Sequence, residues 1–366
     1  MTRDFNFDLA GVCSQILRQA KDYAGKNYAM SLQKSLGALD YITSPANGKI
    51  KYELSQQGTK VVEAKVLYKQ RTLPCEIQDG ADAKDASVCD TAVEASEKSV
   101  TVRIDDAVAT SPRKFTNSNM VQICQDTQAF MKEYLDSDKR ALREKLNAKV
   151  LAKMADNIGV NKRQNGTDIA ADAYATEQLL GTSNSQNIPL TGNFNNVLMD
   201  YSNNQFTGLP AFIGQGNLQT YYTLAGLACC NTATPFSDAL SRAGSAFFLD
   251  QTANTVLGTA ANQTRALMVA FGASHLLWFN ENANINIVAG NAAHIVIPDD
   301  VYPGLSWNLD FKWDECDKVW IYQQSASFDV FNVFRSDSFK QNDPTPACDD
   351  ELFGVTGIWG YKFTNA

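Results

Sequence analysis

Three features of the 366-residue sequence predict an α+β fold: strand-like alternation over 49–110, an apolar repeat at helical spacing over 117–158, and aromatic strands in succession from 293 onward. The chain exceeds the ~250–300 residues at which a single core stops growing, so two interlocked units are expected. Hydrophobic residues make up 44% and charged residues 20%, the composition of a folded chain slightly poor in charge. No window approaches ~18 consecutive apolar residues. Asp4 and Asp8 stand where a signal peptide would be apolar. Neither a membrane nor secretion is expected.

Residues 5–24 place Phe7, Leu9, Val12, Ile16 and Ala20 at three- and four-residue spacing, which predicts an amphipathic helix. Pro45 and the Asn47-Gly48 turn stop any helix and open a strand pattern. KIKYEL, TKVVEAKVLYKQRTL and KSVTVRIDDAVAT then read as strands, the last two forming long arms joined by the acidic loop 74–96. Apolar and charged residues alternate along 61–67 and 100–104, leaving one face wet or partner-facing. An isolated two-stranded hairpin is marginal in water, so this one is expected to dock on something, be it another molecule or a sheet edge of its own chain.

Over 117–158, Val121, Cys124, Met131, Leu135, Leu142, Leu146, Val150 and Met154 recur at helical spacing, with Asn117 or Ser118 as a cap and Gly159 past the end. If continuous, the helix spans ~60 Å at ~1.5 Å per residue. The alternative is a break at Asp136-Ser137-Asp138, where Ser137 or Asp138 is itself a good cap. Further helices are expected at about 169–180 and 194–201, followed by a short apolar strand in GLPAFIGQG and buried strands in GSAFFLD and TRALMVAF. AHIVIP, LSWNLDFKW, KVWIYQQ, FDVFNVF and FGVTGIWGYKF complete the strand set.

The net charge of −8 argues against a nucleic-acid reader with one large basic face. It conceals an asymmetry. Residues 1–163 hold 25 Lys+Arg against 21 Asp+Glu, net +4, and residues 164–366 hold 7 against 19, net −12. Cys13, Cys75, Cys89, Cys124, Cys229, Cys230, Cys316 and Cys348 include no CxxC pair, so free thiols are the default, with a Cys75–Cys89 bridge as the minor alternative. His275 and His294 lie in apolar segments and read as core or edge residues. Gly214 and Gly216 form a G-x-G after a strand but lack the third glycine of a dinucleotide loop, and no GxxxxGK[ST] or GxSxG occurs. Asp299-Asp300, Asp314-Glu315 with Asp317, and Asp349-Asp350-Glu351 sit between strands and read as solvated turns. No catalytic, cofactor or metal site is expected, a divalent ion at Asp314 and Asp317 being the alternative.

The order of elements, from N-terminal segment through long hairpin, long helix and mixed middle to late aromatic sheet, resembles the major capsid protein of tailed double-stranded DNA bacteriophages. The resemblance covers nearly the whole chain and rests on topology and length. It implies the tailed-phage capsid fold: an N-terminal arm at 1–48, an extended β-hairpin loop at 49–116, a long spine helix with the first part of the peripheral domain at 117–190, an axial domain at 191–319, and a return to the peripheral-domain sheet at 320–366. The implied function is structural and not enzymatic: self-assembly into hexamers and pentamers of an icosahedral shell that encloses double-stranded DNA without sequence-specific binding. The implied location is the virion capsid, assembled in the bacterial host cytoplasm. Its partners would be further copies of itself, a separate scaffolding protein, and portal and minor capsid proteins. An encapsulin-like cargo compartment and a phage tail-tube protein are the alternatives.

A shell needs complementary surfaces more than a pocket, and the +4 and −12 halves offer charge complementarity between neighbours. Lys65, Lys69, Arg71 and Arg103 on the hairpin are the expected subunit-interface residues, against the alternative of a merely solvated face. Lys139, Arg140, Arg143, Lys145, Lys149 and Lys153 would face packaged DNA, or else solvent or another subunit.

Overall fold

One helix, α2 (Thr127–Ala155), runs unbroken for 29 residues, or ~43 Å at ~1.5 Å per residue, through the Asp136-Ser137-Asp138 position where a break was the alternative. Asp138 does not cap a second helix because its side chain is turned inward, where it accepts from Arg113 at 2.5 Å and from the Tyr322 hydroxyl at 2.7 Å. The computed structural model describes residues 34–48, 50–57, 61–69, 97–115, 127–159, 161–162, 168–169, 174–178, 200–201, 210–216, 218, 246–258, 263–279, 287–289, 292–317, 319–332 and 356–364. The helix expected at 5–24, the start of the one expected at 117–158, Arg71 and the Cys75–Cys89 pair lie outside them.

Before α2 come a short helix α1 (Gly37–Ile42), a 3-10 turn at Pro45–Asn47, and strands β1 (Lys51–Gln57), β2 (Val61–Lys69), β3 (Glu97–Arg103), β4 (Asp106–Ala109) and β5 (Arg113–Phe115). After it come β6 (Asn161–Lys162), β7 (Asp168–Ile169), β8 (Tyr174–Gln178), β9 (Ala211–Gly214), β10 (Ala246–Leu249), helix α3 (Ala253–Leu257) and β11 (Gln263–Val269). The chain closes with β12 (Ser274–Phe279), β13 (Ile287–Ala289), β14 (Ala292–Pro298), β15 (Ser306–Asp314), β16 (Val319–Asn332) and β17 (Ile358–Thr364).

Among the described residues these strands form a three-stranded sheet β1-β2-β3, a five-stranded sheet β10-β9-β11-β17-β8, a seven-stranded sheet and the small pair β6-β7. β16 organises the seven-stranded sheet: its first half pairs with β15, its last residues with β12, and β5 and β4 lie along it as well. KVWIYQQ and FDVFNVF, which read as separate strands, are thus one 14-residue strand. FGVTGIWGYKF goes to the other sheet, where β17 runs antiparallel to β11 and parallel to β8. The segment KSVTVRIDDAVAT is divided at Ile104-Asp105, so that β3 stays with the hairpin and β4 joins β16.

The expected helix at 169–180 is overturned. Tyr174–Gln178 is a strand in parallel register with β17, Gly360 opposite Tyr174. IAADAYATEQLL has strong local helix propensity, but pairing with a buried strand outweighs propensities worth only tenths of a kcal/mol per residue. Gly360 permits the approach: a Cβ there would meet Ile158 at 2.7 Å and the Tyr174 ring at 2.8 Å.

The main core lies where α1 and α2 cover the sheets. Leu142, Leu146, Val150 and Met154 of α2 are buried with Leu39 and Tyr41 of α1, Phe212, Leu267 and Trp359 of the five-stranded sheet, and Trp307 and Phe328 of the seven-stranded one. α1 fits closely because Gly37 faces the backbone of β10. A Cβ at Gly37 would stand 2.8 Å from the Phe248 carbonyl oxygen and 2.9 Å from Leu249 backbone atoms. Gly37→Ala is therefore expected to cost ~1–3 kcal/mol in chemical denaturation, because backbone has to move where a side chain cannot rotate away. A stability equal to the parent's would show that α1 can shift freely.

Candidate functional site

The candidate interface is the hairpin, and the structure gives it two unlike faces. Val62, Ala64 and Val66 of β2 are buried against Leu277 and Phe331. On the opposite face Lys51, Glu53 and Ser55 of β1, Lys65 of β2, and Ser99, Thr101 and Arg103 of β3 are exposed, with Glu63 half-buried. Alternation along a strand sorts the side chains in this way. The pairing register sets Lys65 opposite Glu53 and Thr101, Arg103 opposite Glu63, and Lys69 opposite Glu97. Arg103 also pairs with Asp105 at 3.0 Å. The outward face is thus a ladder of alternating charge. Its bases were visible in the sequence as a basic set, but the acids beside them depend on register.

The basic residues of α2 have another fate than the sequence suggested. Arg143 is 1% exposed, and its Nε donates to Asp299 at 2.8 Å while its NH2 donates to Asp300. Lys139 is buried 3.8 Å from the same Asp300 carboxylate. Asp299, far from a solvated turn, accepts from Trp307 Nε1 at 2.7 Å and from the backbone amides of Val301 and Tyr302, both at 2.8 Å. Four residues expected on a wet or DNA-facing side, Lys139, Arg143, Lys149 and Lys153, hold the molecule together instead. Of the other two helix bases, Lys145 is exposed and Arg140 half-buried.

Lys149 and Lys153 converge on Asp106 of β4 at 2.9 and 2.7 Å, and Lys153 also reaches Asp329 at 2.6 Å. Burial would raise the Asp106 carboxyl, but the hydrogen bonds and charges of the two lysines outweigh it and hold the group below its ordinary 3.8. A carboxyl depressed on folding stabilises the fold above its unfolded pKa, and that contribution is lost as pH falls through the lower folded value. Asp106→Asn should accordingly cost roughly 1 kcal/mol or less at pH 7, given screening at a partly exposed site. In paired denaturation curves the difference from the parent should narrow as pH falls below 3.8 and vanish below the lower folded value. A gap that persists there would contradict the assignment.

A second polar cluster seats α1. Asp250 and Asn147 are both fully buried. Asp250 accepts from the Ala38 amide at 3.0 Å, from Asn147 Nδ2 at 2.8 Å, and from the Thr252 amide and hydroxyl at 2.8 and 2.6 Å. Asn147 Oδ1 accepts from the Leu39 amide at 3.0 Å. The first amides of α1, which has no side-chain cap of its own, are therefore satisfied from α2 and from the strand end before α3.

At the tip of β15-β16, Asp314 accepts from the amides of Cys316 and Asp317 at 3.0 and 3.4 Å, and Asp317 pairs with Lys114. Asp317 thus has a lysine partner, and among the described residues no group of three or more His, Cys, Asp or Glu is arranged to hold a metal. Cys316 is a free exposed thiol. His275 contacts the Gly272 carbonyl at 3.1 Å, and burial lowers its pKa below the usual histidine value. His294 meets Asp310 at 2.5 Å on the opposing strand.

With this geometry the chain was compared with known proteins. No family model and no curated protein sequence matches it. Among solved structures it is similar to the capsid of Ralstonia phage GP4, at 10% identity over 91% of this chain and 92% of that one, TM-score 0.47. It is similar to the capsid asymmetric unit of cyanophage A-1(L), at 10% identity over 86% and 92%, TM-score 0.45. The capsid of a native GTA particle follows at 11% identity over 82% and 85%, TM-score 0.37. These similar structures are capsids.

Asp250 and Asn147 were not singled out from the sequence, and Asn47 only as half of the Asn47-Gly48 turn. Asn147 left a readable trace, a polar residue inside the stripe Leu142, Leu146, Val150. Asp250 left none and the Asn47 turn did not announce its clamp, because the contacts of Asp250 with Ala38 and Asn147, and of Asn47 with Gly272 and Ser274, span more than 100 residues.

Proposed function

We propose that this chain is a structural shell subunit that self-assembles through its hairpin into hexamers and pentamers of an icosahedral particle enclosing double-stranded DNA. The observation that carries the reading is the hairpin sheet, whose strands pair only with one another among the described residues and which presents an outward ladder of alternating charge. It precedes a long helix that is locked to the body by buried ion pairs, giving a rigid unit with one attached, patterned surface. A surface of alternating charge selects orientation and register of a neighbour more than it adds affinity. Lys65, Lys69, Arg71 and Arg103 are the proposed contact residues, joined by Glu53 and Glu63. The segments 1–48, 49–116, 117–190, 191–319 and 320–366 take the roles of arm, extended loop, spine with peripheral domain, axial domain and peripheral return. The location is the virion, with scaffolding, portal and minor capsid proteins as separate partners.

The test separates folding from assembly. Exchanging charges within rungs, Glu53→Lys with Lys65→Glu and Glu63→Arg with Arg103→Glu, together with Asp105→Arg to keep the Arg103–Asp105 pair opposite in sign, preserves the intramolecular pairing and inverts what a neighbour meets. The circular dichroism spectrum should stay unchanged while particle yield by light scattering and negative-stain imaging falls at least ~10-fold, since like-charge contacts repel. Undiminished yield would reject the interface. Nuclease-protected DNA is expected in the parent particles, and a co-purifying cargo protein in its place would reject DNA enclosure.

A further inference from the structure

Residues 164–366 hold only seven Lys and Arg, yet two of them stand face to face. Arg265 of β11 lies directly opposite Lys362 of β17 in the antiparallel register, so both side chains leave the same face of the five-stranded sheet. The Cβ atoms of such a pair are ~4.5–5.5 Å apart, and like charges so placed repel. Both residues are half-buried. Neither forms an ion pair with a carboxylate of the described residues. Asp156, just past α2, is exposed and acts on Tyr174 through its charge, but it pairs with neither cation.

The guanidinium is held in place. Its Nη1 donates to the Leu257 carbonyl at 2.7 Å, which closes the C-terminal end of α3. Its central carbon lies 4.7 Å from the centre of the Tyr174 ring on β8. That ring rests over Gly360, two residues before Lys362, where a Cβ would meet its atoms at 2.8 and 3.0 Å. Because β17 lies between β11 and β8, Arg265 crosses β17 beside Lys362 to reach the ring. A guanidinium has five N–H donors. Among the described residues one nitrogen is hydrogen-bonded, and the Lys362 ammonium has no acceptor.

Two adjacent cations on a fixed backing, without a counter-charge, fit an anion of matching charge. A phosphate group that is free or singly esterified carries about −1.5 to −2 at neutral pH and offers three strong acceptor oxygens. A ring-backed guanidinium fork suits its geometry, and a lysine adds a point charge beside it. A carboxylate or a phosphodiester brings a single charge and leaves one cation uncompensated. We propose that Arg265 and Lys362 form a binding site for a phosphate dianion, free or carried as a terminal monoester, with the Arg265 fork and the Lys362 ammonium as its donors. The site lies within one chain and does not depend on the shell reading.

The test uses the full-length chain and changes Lys362, because Arg265 also closes α3. Urea unfolding of the parent and of Lys362→Gln is compared in chloride and in inorganic phosphate at equal pH and ionic strength. In chloride the variant should be at least as stable as the parent, since the repulsion is gone. In phosphate the order should reverse: bound ligand stabilises the folded parent by mass action, whereas exclusion of phosphate from the surface acts on both proteins alike. A variant that loses the same stability in both buffers would mark Lys362 as a packing residue and overturn the proposal. In equilibrium dialysis, labelled phosphate should bind the parent at least ~10-fold more tightly than Lys362→Gln, and Lys362→Arg should restore binding. Equal binding to the parent and Lys362→Gln would overturn it. Competition by a nucleoside 5′-monophosphate would assign the site to a monoester, and competition by unlabelled phosphate alone would assign it to the free ion. Acetate, or a duplex oligonucleotide without terminal phosphates, competing as well as phosphate would show that a dianion is not what the pair selects, and would overturn the proposal.

Discussion

Arg143→Ala is expected to destabilise the chain by ~3–5 kcal/mol, the cost of leaving buried charge without its partner. The Arg143 side chain is 1% exposed and that of Asp299 is 0% exposed, so water cannot replace the guanidinium. Among the described residues Asp300 would retain Lys139, 3.8 Å away, as its cation. Asp299 would keep the Trp307 indole and two backbone amides as donors but no counter-charge. The loss should appear as a lower midpoint in urea with an unchanged slope. Removing charge on both sides is the informative companion: Arg143→Met with Asp299→Asn and Asp300→Asn should recover a substantial part, because breaking a buried pair costs more than deleting it. Arg143→Ala within about 1 kcal/mol of the parent would show that the network is not a structural tie.

Asp250→Ala is expected to cost ~3 kcal/mol, because one carboxylate that is fully buried satisfies four donors. The Ala38 amide, Asn147 Nδ2 and the Thr252 amide and hydroxyl all point at it. Alanine leaves the Ala38 amide buried, and Asn147 keeps only the Thr252 hydroxyl as a partner for its Nδ2. The effect should concentrate at the α1 seat: hydrogen exchange of the α1 amides Ala38 and Leu39 should accelerate more than that of β15. Asp250→Asn should fall between, since an amide oxygen still accepts on one side while its NH2 faces donors on the other. Uniform acceleration across the molecule would instead mean that α1 opens only with global unfolding.

Elements governed by local pattern were legible in the sequence. The α2 repeat of Leu142, Leu146, Val150 and Met154, the alternation in Val62, Ala64 and Val66, and the aromatic runs of β15 and β16 each announce a buried face. The 169–180 helix was misread because Tyr174–Gln178 has helical local preference but is held by β17, which follows more than 180 residues later. The bases of α2 were misread for a related reason. Lys and Arg at helical spacing look solvated unless the acids opposite them are known, and Asp299, Asp300 and Asp329 arrive from the far end of the chain. The net +4 and −12 halves are therefore partly neutralised within one molecule, through Lys114, Lys139, Arg143 and Lys153.

The amino-acid sequence by itself determined the class of the fold, the position of the long helix and the hairpin, and the scarcity of reactive groups, because period, turn chemistry and composition act over a few residues. Tertiary structure alone decided which strands share a sheet, which side of the hairpin Lys65 and Arg103 share with Glu53 and Glu63, and that Arg143 is buried and not wet. Register and ion pairing depend on where distant segments meet, and such meetings depend on the summed burial of the whole core, which no single stretch of the chain encodes.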